Sequence, residues 1–302
     1  MRVLLTGASG AIGSAICDAL LSRGDEVVGL SRNPEAARAG NPTVTWHPWN
    51  PTLERPPQDA LTGVDGVINL VGEPINQRWT DEAKVRILES REVATHNLVA
   101  AVLAAEPRPK VLVSQSAVGY YGNRGEAFVD EETGAGESFD ARLCVAWEAA
   151  ARTVEGHGVR LAIMRTGLVL DAGSGLLGEL LTPFKLGIGG PLAGGANYLP
   201  WISLDDEVAM LLWALDNEQA GGIYNATAPE PVTNREFSKA LGRALGRPAV
   251  VPIPKLALRL KLGAELAETA TGGQRALPRR ARDQGFNFNH PKIESALKAA
   301  LA

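Results

Sequence analysis

Cysteine and histidine are nearly missing from this chain: two and four in 302 residues. Cys17 and Cys144 lie far apart and form no C-x-x-C, which argues against a disulfide framework or a zinc site and fits a reducing compartment. His47, His96, His157 and His290 lack metal-ligand spacing and read as surface or helix-face residues, so no metal is expected. No apolar run reaches the ~18 residues that cross a bilayer. The first strand begins at Arg2, which leaves no room for a signal peptide. A cytoplasmic protein without membrane attachment is expected. Basic runs are also missing and the net charge is −4, which removes nucleic acid as a partner class. Repeats and low-complexity tails are absent.

What remains is an ordinary globular composition, 45% hydrophobic and 21% charged, in a chain long enough for a large core or two unequal domains. Short apolar runs alternate with helical patterns. "RVLLT", "EVVGL", "TVTW", "GVINL", "KVLVSQ" and "RLAIMR" read as strands. "AIGSAICDALLSRG" reads as a helix ending at Gly24. "TDEAKVRILESREVATHNLVAAVLAAE" reads as one long helix capped by Thr80, and "ESFDARLCVAWEAAARTVEGHG" as another ending in glycine. Continuous apolar strands separated by helices predict an α/β fold, a doubly wound parallel sheet covered on both faces. Near residue 171 the rhythm breaks at a glycine-rich stretch, "KLGIGGPLAGGAN". "TNREFSKALGRALG" is a later helix capped by Thr233 or Asn234. The division expected is a sheet-forming domain, 1–170, whose final strand is open to a later segment, and a smaller substrate-side region, 171–302, with a C-terminal extension.

The strongest motif is "TGASGAIG", Thr6 to Gly13, between the first strand and the first helix. Gly7 permits a tight turn, Gly10 lets the backbone approach a pyrophosphate, and Gly13 lets the helix pack close. The phosphates then sit on the helix N-terminus, where free N–H groups and the dipole favour anions. Thr6, Gly7, Ser9, Gly10, Ala11, Ile12 and Gly13 are the candidate contacts to a dinucleotide of this Rossmann-type fold. The second strand ends in Ser31 and Arg32, not in the Asp or Glu that would hold free ribose hydroxyls. A hydroxyl donor and a guanidinium fork suit a 2′-phosphate, and hence NADP(H). The bland alternative for Arg32 is a solvated residue after a strand.

The glycine spacing, "SQSAVGYYG" and "WISLDD" resemble the extended short-chain dehydrogenase/reductase superfamily. "VINLVGEPINQRWTDEAKVRILESR", "MRTGLVLD", "YNATAPEPVTNREF" and "LPRRARDQGFNFNHPKIESAL" resemble an atypical branch of it, the epimerase-family proteins related to bacterial YfcH, over nearly the whole chain. The resemblance implies a Rossmann fold, NADP(H), and a sugar-like or otherwise hydroxylated small-molecule substrate. It implies no particular reaction and no oligomeric state. It also implies that Asn69, Leu70 and Gly72, after the fourth strand, line the nicotinamide half of the cofactor.

The superfamily's tyrosine acts because a lysine four residues on stabilises its phenolate; a free tyrosine titrates near ~10. This chain has no Tyr-x-x-x-Lys: Tyr120, Tyr121, Tyr198 and Tyr224 are followed at that spacing by Arg124, Gly125, Ile202 and Ala228. With Glu148 as register mark, Asp140 takes the tyrosine position and Cys144 the lysine position, all three on one helical face. Cys144 is expected beside the nicotinamide ribose, which loses the lysine's donor. Its alternative is a small buried helix residue. Ser116 resembles the superfamily's substrate-orienting serine. Ser116, Tyr120 and Tyr121, with Asp140 as acceptor, are the candidate proton-transfer groups. Packing with an exposed hydroxyl is the alternative for the tyrosines. On the substrate side stand Arg78, Lys84, Arg91 and Trp201. Lys84 and Arg91, seven apart on one expected helix, suggest an anionic substrate; solvated charge is the alternative for them, and packing for Trp201.

Overall fold

A computed structural model describes residues 1–302. The apolar runs become a seven-stranded sheet of β1 (Arg2–Thr6), β2 (Glu26–Ser31), β3 (Thr45–Pro48), β4 (Gly66–Asn69), β5 (Val111–Ala117), β7 (Arg160–Thr166) and β11 (Gly222–Ala226). The order is β11-β7-β5-β4-β1-β2-β3, with every pair parallel. Side chains alternate across a strand. Val3 and Leu5 therefore join one core with Ile16, Leu20, Met210 and Leu211, from α1 (Ala11–Ser22) and α7 (Leu204–Asp216). Leu4 and Leu112 join the opposite core with Leu98 and Val102 of α4 (Glu92–Ala104) and Ala151 of α5 (Phe139–Arg152). Both α7 and β11 lie beyond residue 170 yet complete the sheet layers. Strand order reverses beside β1, so the carboxyl ends of β1 and β4 frame the crevice where open α/β sheets bind ligands.

The stretch expected as one long helix is two, α3 (Asp81–Glu89) and α4, broken at Ser90–Arg91. Thr80 caps α3 as expected, its hydroxyl oxygen accepting from the Ala83 N–H at 3.2 Å. Ser90 marks the break through two contacts, one to the helix behind it and one to the loop after β4. The Ser90 hydroxyl donates back to the Ile87 carbonyl at 2.9 Å, and its oxygen accepts the Glu73 N–H at 2.9 Å. A serine bonded to a preceding carbonyl competes with helix continuation. Lys84 and Arg91 consequently do not share one helix.

The rest of the chain forms a third core. Leu180, Phe184, Trp201, Phe237, Leu241 and Leu297 pack there, drawn in part from α6 (Gly175–Lys185), α8 (Asn234–Leu245) and α12 (Ile293–Ala300). Thr233 caps α8 through a reciprocal capping box with Glu236. Three short pairings tie this part down: β6 (Phe128–Val129) with β13 (Arg275–Ala276), β8 (Leu168–Leu170) with β10 (Trp201–Ser203), and β9 (Tyr198–Leu199) with β12 (Val232–Thr233). α2 (Pro34–Gly40) follows β2, and α9 (Lys255–Leu262), α10 (Ala264–Thr271) and α11 (Arg279–Asp283) belong to the C-terminal extension. No helix is long and apolar enough to cross a membrane.

The glycine turn shows its packing constraint directly. Gly7 has φ of +65°, and a Cβ there would stand 3.0 Å from the Leu70 carbonyl oxygen. A Cβ at Gly13 would lie 2.2 Å from the Gly7 carbonyl oxygen and 2.8 Å from Ala8 Cα, both backbone atoms. Gly13→Ala is therefore expected to lower unfolding free energy by about 1–3 kcal/mol, the range for forced overpacking. Urea denaturation measures it; an unchanged midpoint would show that α1 can slide away from the loop.

Candidate dinucleotide cleft

Thr6 acts from behind the cleft. Its hydroxyl donates to Asn69 Oδ1 at 2.8 Å and accepts the N–H groups of Leu70 (2.9 Å) and Val71 (3.1 Å). Asn69 is fully buried and donates through Nδ2 to Thr95 Oγ1 (3.0 Å) and Ser114 Oγ (3.2 Å). The side chains of Thr6 and Asn69 thus staple the ends of β1 and β4, and the Leu70 amide is already taken. These three set the shape of the crevice, not its polar surface. Ser9, Gly10, Ala11 and Gly72 are exposed along it, with Ile12 half-buried. α1 starts with no side-chain cap and no acidic residue in its first turn, so its leading amides stay available to an anion. Ser31 is half-buried, its oxygen accepting from the Asn33 N–H at 3.1 Å, which leaves its proton free to donate. Arg32 is exposed just beyond β2. This donor set fits a dinucleotide carrying a 2′-phosphate.

The catalytic candidates form a different picture. Arg165, on β7, is 1% exposed. It grips Glu148 of α5 with two parallel bonds, Nε to Oε1 at 2.8 Å and Nη2 to Oε2 at 2.9 Å. Ser116 donates its hydroxyl proton to Glu148 Oε1 at 2.8 Å. Tyr121 accepts from Arg165 Nη1 at 3.0 Å and donates to Asn225 Oδ1 at 2.6 Å. The Tyr120 ring lies over the guanidinium, 3.3 Å from centroid to carbon. Ser116 and Tyr121 are therefore buried members of a satisfied network, not groups aimed into the cleft. Tyr120 is half-buried at its edge. Burial pushes the Tyr121 phenol up to about 12, despite the nearby Arg165.

Asp140 and Cys144 share the expected face of α5, and both are buried. Burial raises the Asp140 carboxyl above its ordinary range, and its Oδ1 has no partner. The carboxyl lies against the backbone of Gly119, where an added Cβ would be 3.1 Å from Oδ2. Burial pushes the Cys144 thiol up to about 12, so it remains a neutral thiol. A second buried acid, Glu207 of α7, accepts from Thr166 Oγ1 at 2.8 Å, while its Oε2 is unpartnered. Burial lifts it to about 8.

A family model described as the NAD dependent epimerase/dehydratase family matches residues 3–227. The chain belongs to that family. A second model, a domain of unknown function (DUF1731), matches residues 253–300 and accounts for the C-terminal extension. An epimerase family protein of Mycobacterium tuberculosis is 40% identical over 296 residues, 98% of this chain and 96% of the relative. The human epimerase family protein SDR39U1 is 35% identical over 306 residues, 100% of both chains. A crystal structure of human SDR39U1 (isoform 2) with NADPH superposes at a TM-score of 0.91, with 34% identity and 99% of each chain covered. UDP-glucuronic acid 4-epimerase from Bacillus cereus, in complex with NAD, is 16% identical at a TM-score of 0.78, a likeness of fold.

Within this epimerase-family chain the substrate-side candidates separate. Trp201 is a packing residue: it sits in the third core, and its Nε1 donates to the Glu230 carbonyl at 3.2 Å. Lys84 is ion-paired with Glu265 of α10 and lies 5.4 Å from the Phe139 ring centroid. Arg78 is exposed and borders Gly263, between α9 and α10. Arg91 is buried. The paired-cation argument for an anionic substrate fails, because the helix break separates Lys84 from Arg91 and the extension neutralises Lys84. Arg165 is not among the residues the sequence singles out, and Glu148 enters there only as a register mark. The available signal was an arginine inside an otherwise apolar strand, "RLAIMRT", which burial obliges to find a carboxylate.

Removing one partner of a buried ion pair costs about 3–5 kcal/mol, whereas replacing both with apolar groups is far milder. Arg165→Met and Glu148→Leu should each destabilise the fold by that amount, and the double variant by much less than their sum. Additive losses in a denaturation cycle would show that the two side chains are not coupled. For Glu207 the folded-state value, about 8, lies above the ordinary 4.5. Its favourable contribution is complete below 4.5 and lost as pH rises toward 8. Thermal melts should find Glu207→Gln level with wild type in acid and progressively more stable as pH rises through this window. A constant difference would contradict it.

Proposed function

We propose that this chain binds NADP(H) across the ends of β1, β2 and β4 and acts as an oxidoreductase or epimerase on a small hydroxylated, sugar-like substrate. The observation that carries the reading is the cradle itself: a helix start without cap or acid, reached by a turn whose Gly7 and Gly13 have no room for side chains, with Ser31 and Arg32 at the end of the neighbouring β2. Family membership and the NADPH in the SDR39U1 crystal structure support it. The bound nicotinamide supplies or accepts a hydride. The protein's own part is binding, orientation and proton handling. Tyr120, at the edge of the network, and Asp140, held toward its protonated form by burial, are the groups left for proton transfer. Two buried free cysteines suit a reducing compartment such as the cytoplasm.

A second reading is an NADP(H)-binding sensor without turnover. Ser116 and Tyr121, engaged in the Arg165 network, favour it. A change in NADPH absorbance with any of a panel of sugar and carbonyl substrates distinguishes the first reading from the second.

NADPH should bind roughly ten- to a hundred-fold more tightly than NADH, the range of a charge-assisted contact to the 2′-phosphate. Titration calorimetry on wild type and Arg32→Ala tests this, with the variant expected to lose the preference. Equal wild-type affinities would sink the assignment of Ser31 and Arg32.

A further inference from the structure

Arg91 opens α4 at the helix break, and it is only 9% exposed. A cation this deep ordinarily has a carboxylate partner, because its desolvation costs several kcal/mol. Arg91 has none. Nη1 donates to the Ile87 carbonyl at 3.2 Å and to the Ser90 hydroxyl at 3.4 Å. Its guanidinium carbon lies 5.1 Å from the Trp147 ring centroid. The other edge of the fork, Nε and Nη2, has no protein acceptor and borders Gly72. A Cβ at Gly72 would stand 3.0 Å from Nη2 and 3.2 Å from Nε, so residue 72 leaves the space the guanidinium occupies. Burial lowers the Arg91 pKa, and Cys144 and Glu73 are the titratable neighbours that oppose this.

Gly72 follows β4, across the sheet's reversal point from the glycine turn. A dinucleotide with its 2′-phosphate at Arg32 and its pyrophosphate on α1 runs its other half toward the ends of β4 and β5. The two free donors of Arg91 border that path. Cys144, at the position where the superfamily keeps its lysine, is a neutral neighbour of the same guanidinium. A lysine there would set two cations side by side.

We propose that Arg91 holds the nicotinamide-side ribose of NADP(H), supplying from α4 the cationic donor that the superfamily's lysine supplies from α5. The inference rests on the NADP(H) reading. It explains why a buried arginine lacks a carboxylate, why position 72 is glycine, and why position 144 is small and uncharged.

Titration calorimetry on the full chain tests it with two probes, NADPH and adenosine 2′,5′-bisphosphate, which keeps the phosphate end but lacks the nicotinamide half. Arg91→Met should weaken NADPH roughly ten- to a hundred-fold, as expected for a charge-assisted hydrogen bond, and leave the bisphosphate unchanged. The ligand-free variant should melt at or above the wild-type temperature, because an unpaired buried cation has been removed. Unchanged NADPH affinity, or equal weakening of both probes, overturns the proposal. Should Arg91→Met fail to fold, Arg91→Gln, which keeps a polar head without the charge, carries the test: selective loss of NADPH supports it and no loss overturns it. A wild type that binds neither probe overturns the cofactor reading itself. One that binds NADPH no better than the bisphosphate leaves that reading intact and overturns only the Arg91 contact.

Discussion

The bidentate pair of Arg165 and Glu148 is the contact on which the site side of the molecule depends. A guanidinium inside a parallel sheet is tolerable only if every face of it is matched. Here the carboxylate takes two of its donors, Tyr121 a third, and the Tyr120 ring covers its plane. Those contacts join β7, α5 and the segment after β5. Asn225 extends them through β11 to the Leu277 carbonyl, so the C-terminal extension is anchored to the same cluster. Ser116, Tyr120 and Tyr121 stand where they do because the pair holds them. The same hold removes the Ser116 proton and the Tyr121 hydroxyl from ready use in the cleft.

Burial then decides the chemical character of the region. It lifts Tyr121 and Cys144 to about 12, Glu207 to about 8, and Asp140 above its ordinary range. Each is driven toward its neutral form, the expected outcome where desolvation outweighs local partners. A phenolate base of the superfamily's kind would need a cation beside the phenol and access to the ligand. Tyr121 has the cation without the access. The cofactor half of the crevice is the reverse, exposed and rich in donors. One half is therefore exposed and rich in donors, while the other holds a buried network and a neutral thiol.

The sequence by itself determined whatever depends on neighbours a few residues away. Continuous apolar runs set strands buried on both faces, and the alternation of Val3, Leu4 and Leu5 between two cores follows from the pleat. The turn at Gly7 and the close approach at Gly13 were legible because only glycine satisfies them. So were the cap at Thr80 and the helix after Thr233, because caps act within one turn. Tertiary structure alone decided the rest. The helix break at Ser90 needs the Glu73 amide from a distant loop. Arg165 finds Glu148 across the sheet–helix interface, and Tyr121 finds Asn225 over a chain separation of 104 residues. Trp201 is a core residue because β10 folds onto β8. Which charges are paired, which hydroxyls are engaged and which acids are dry depends on partners that meet only when the chain closes, and no local pattern encodes them.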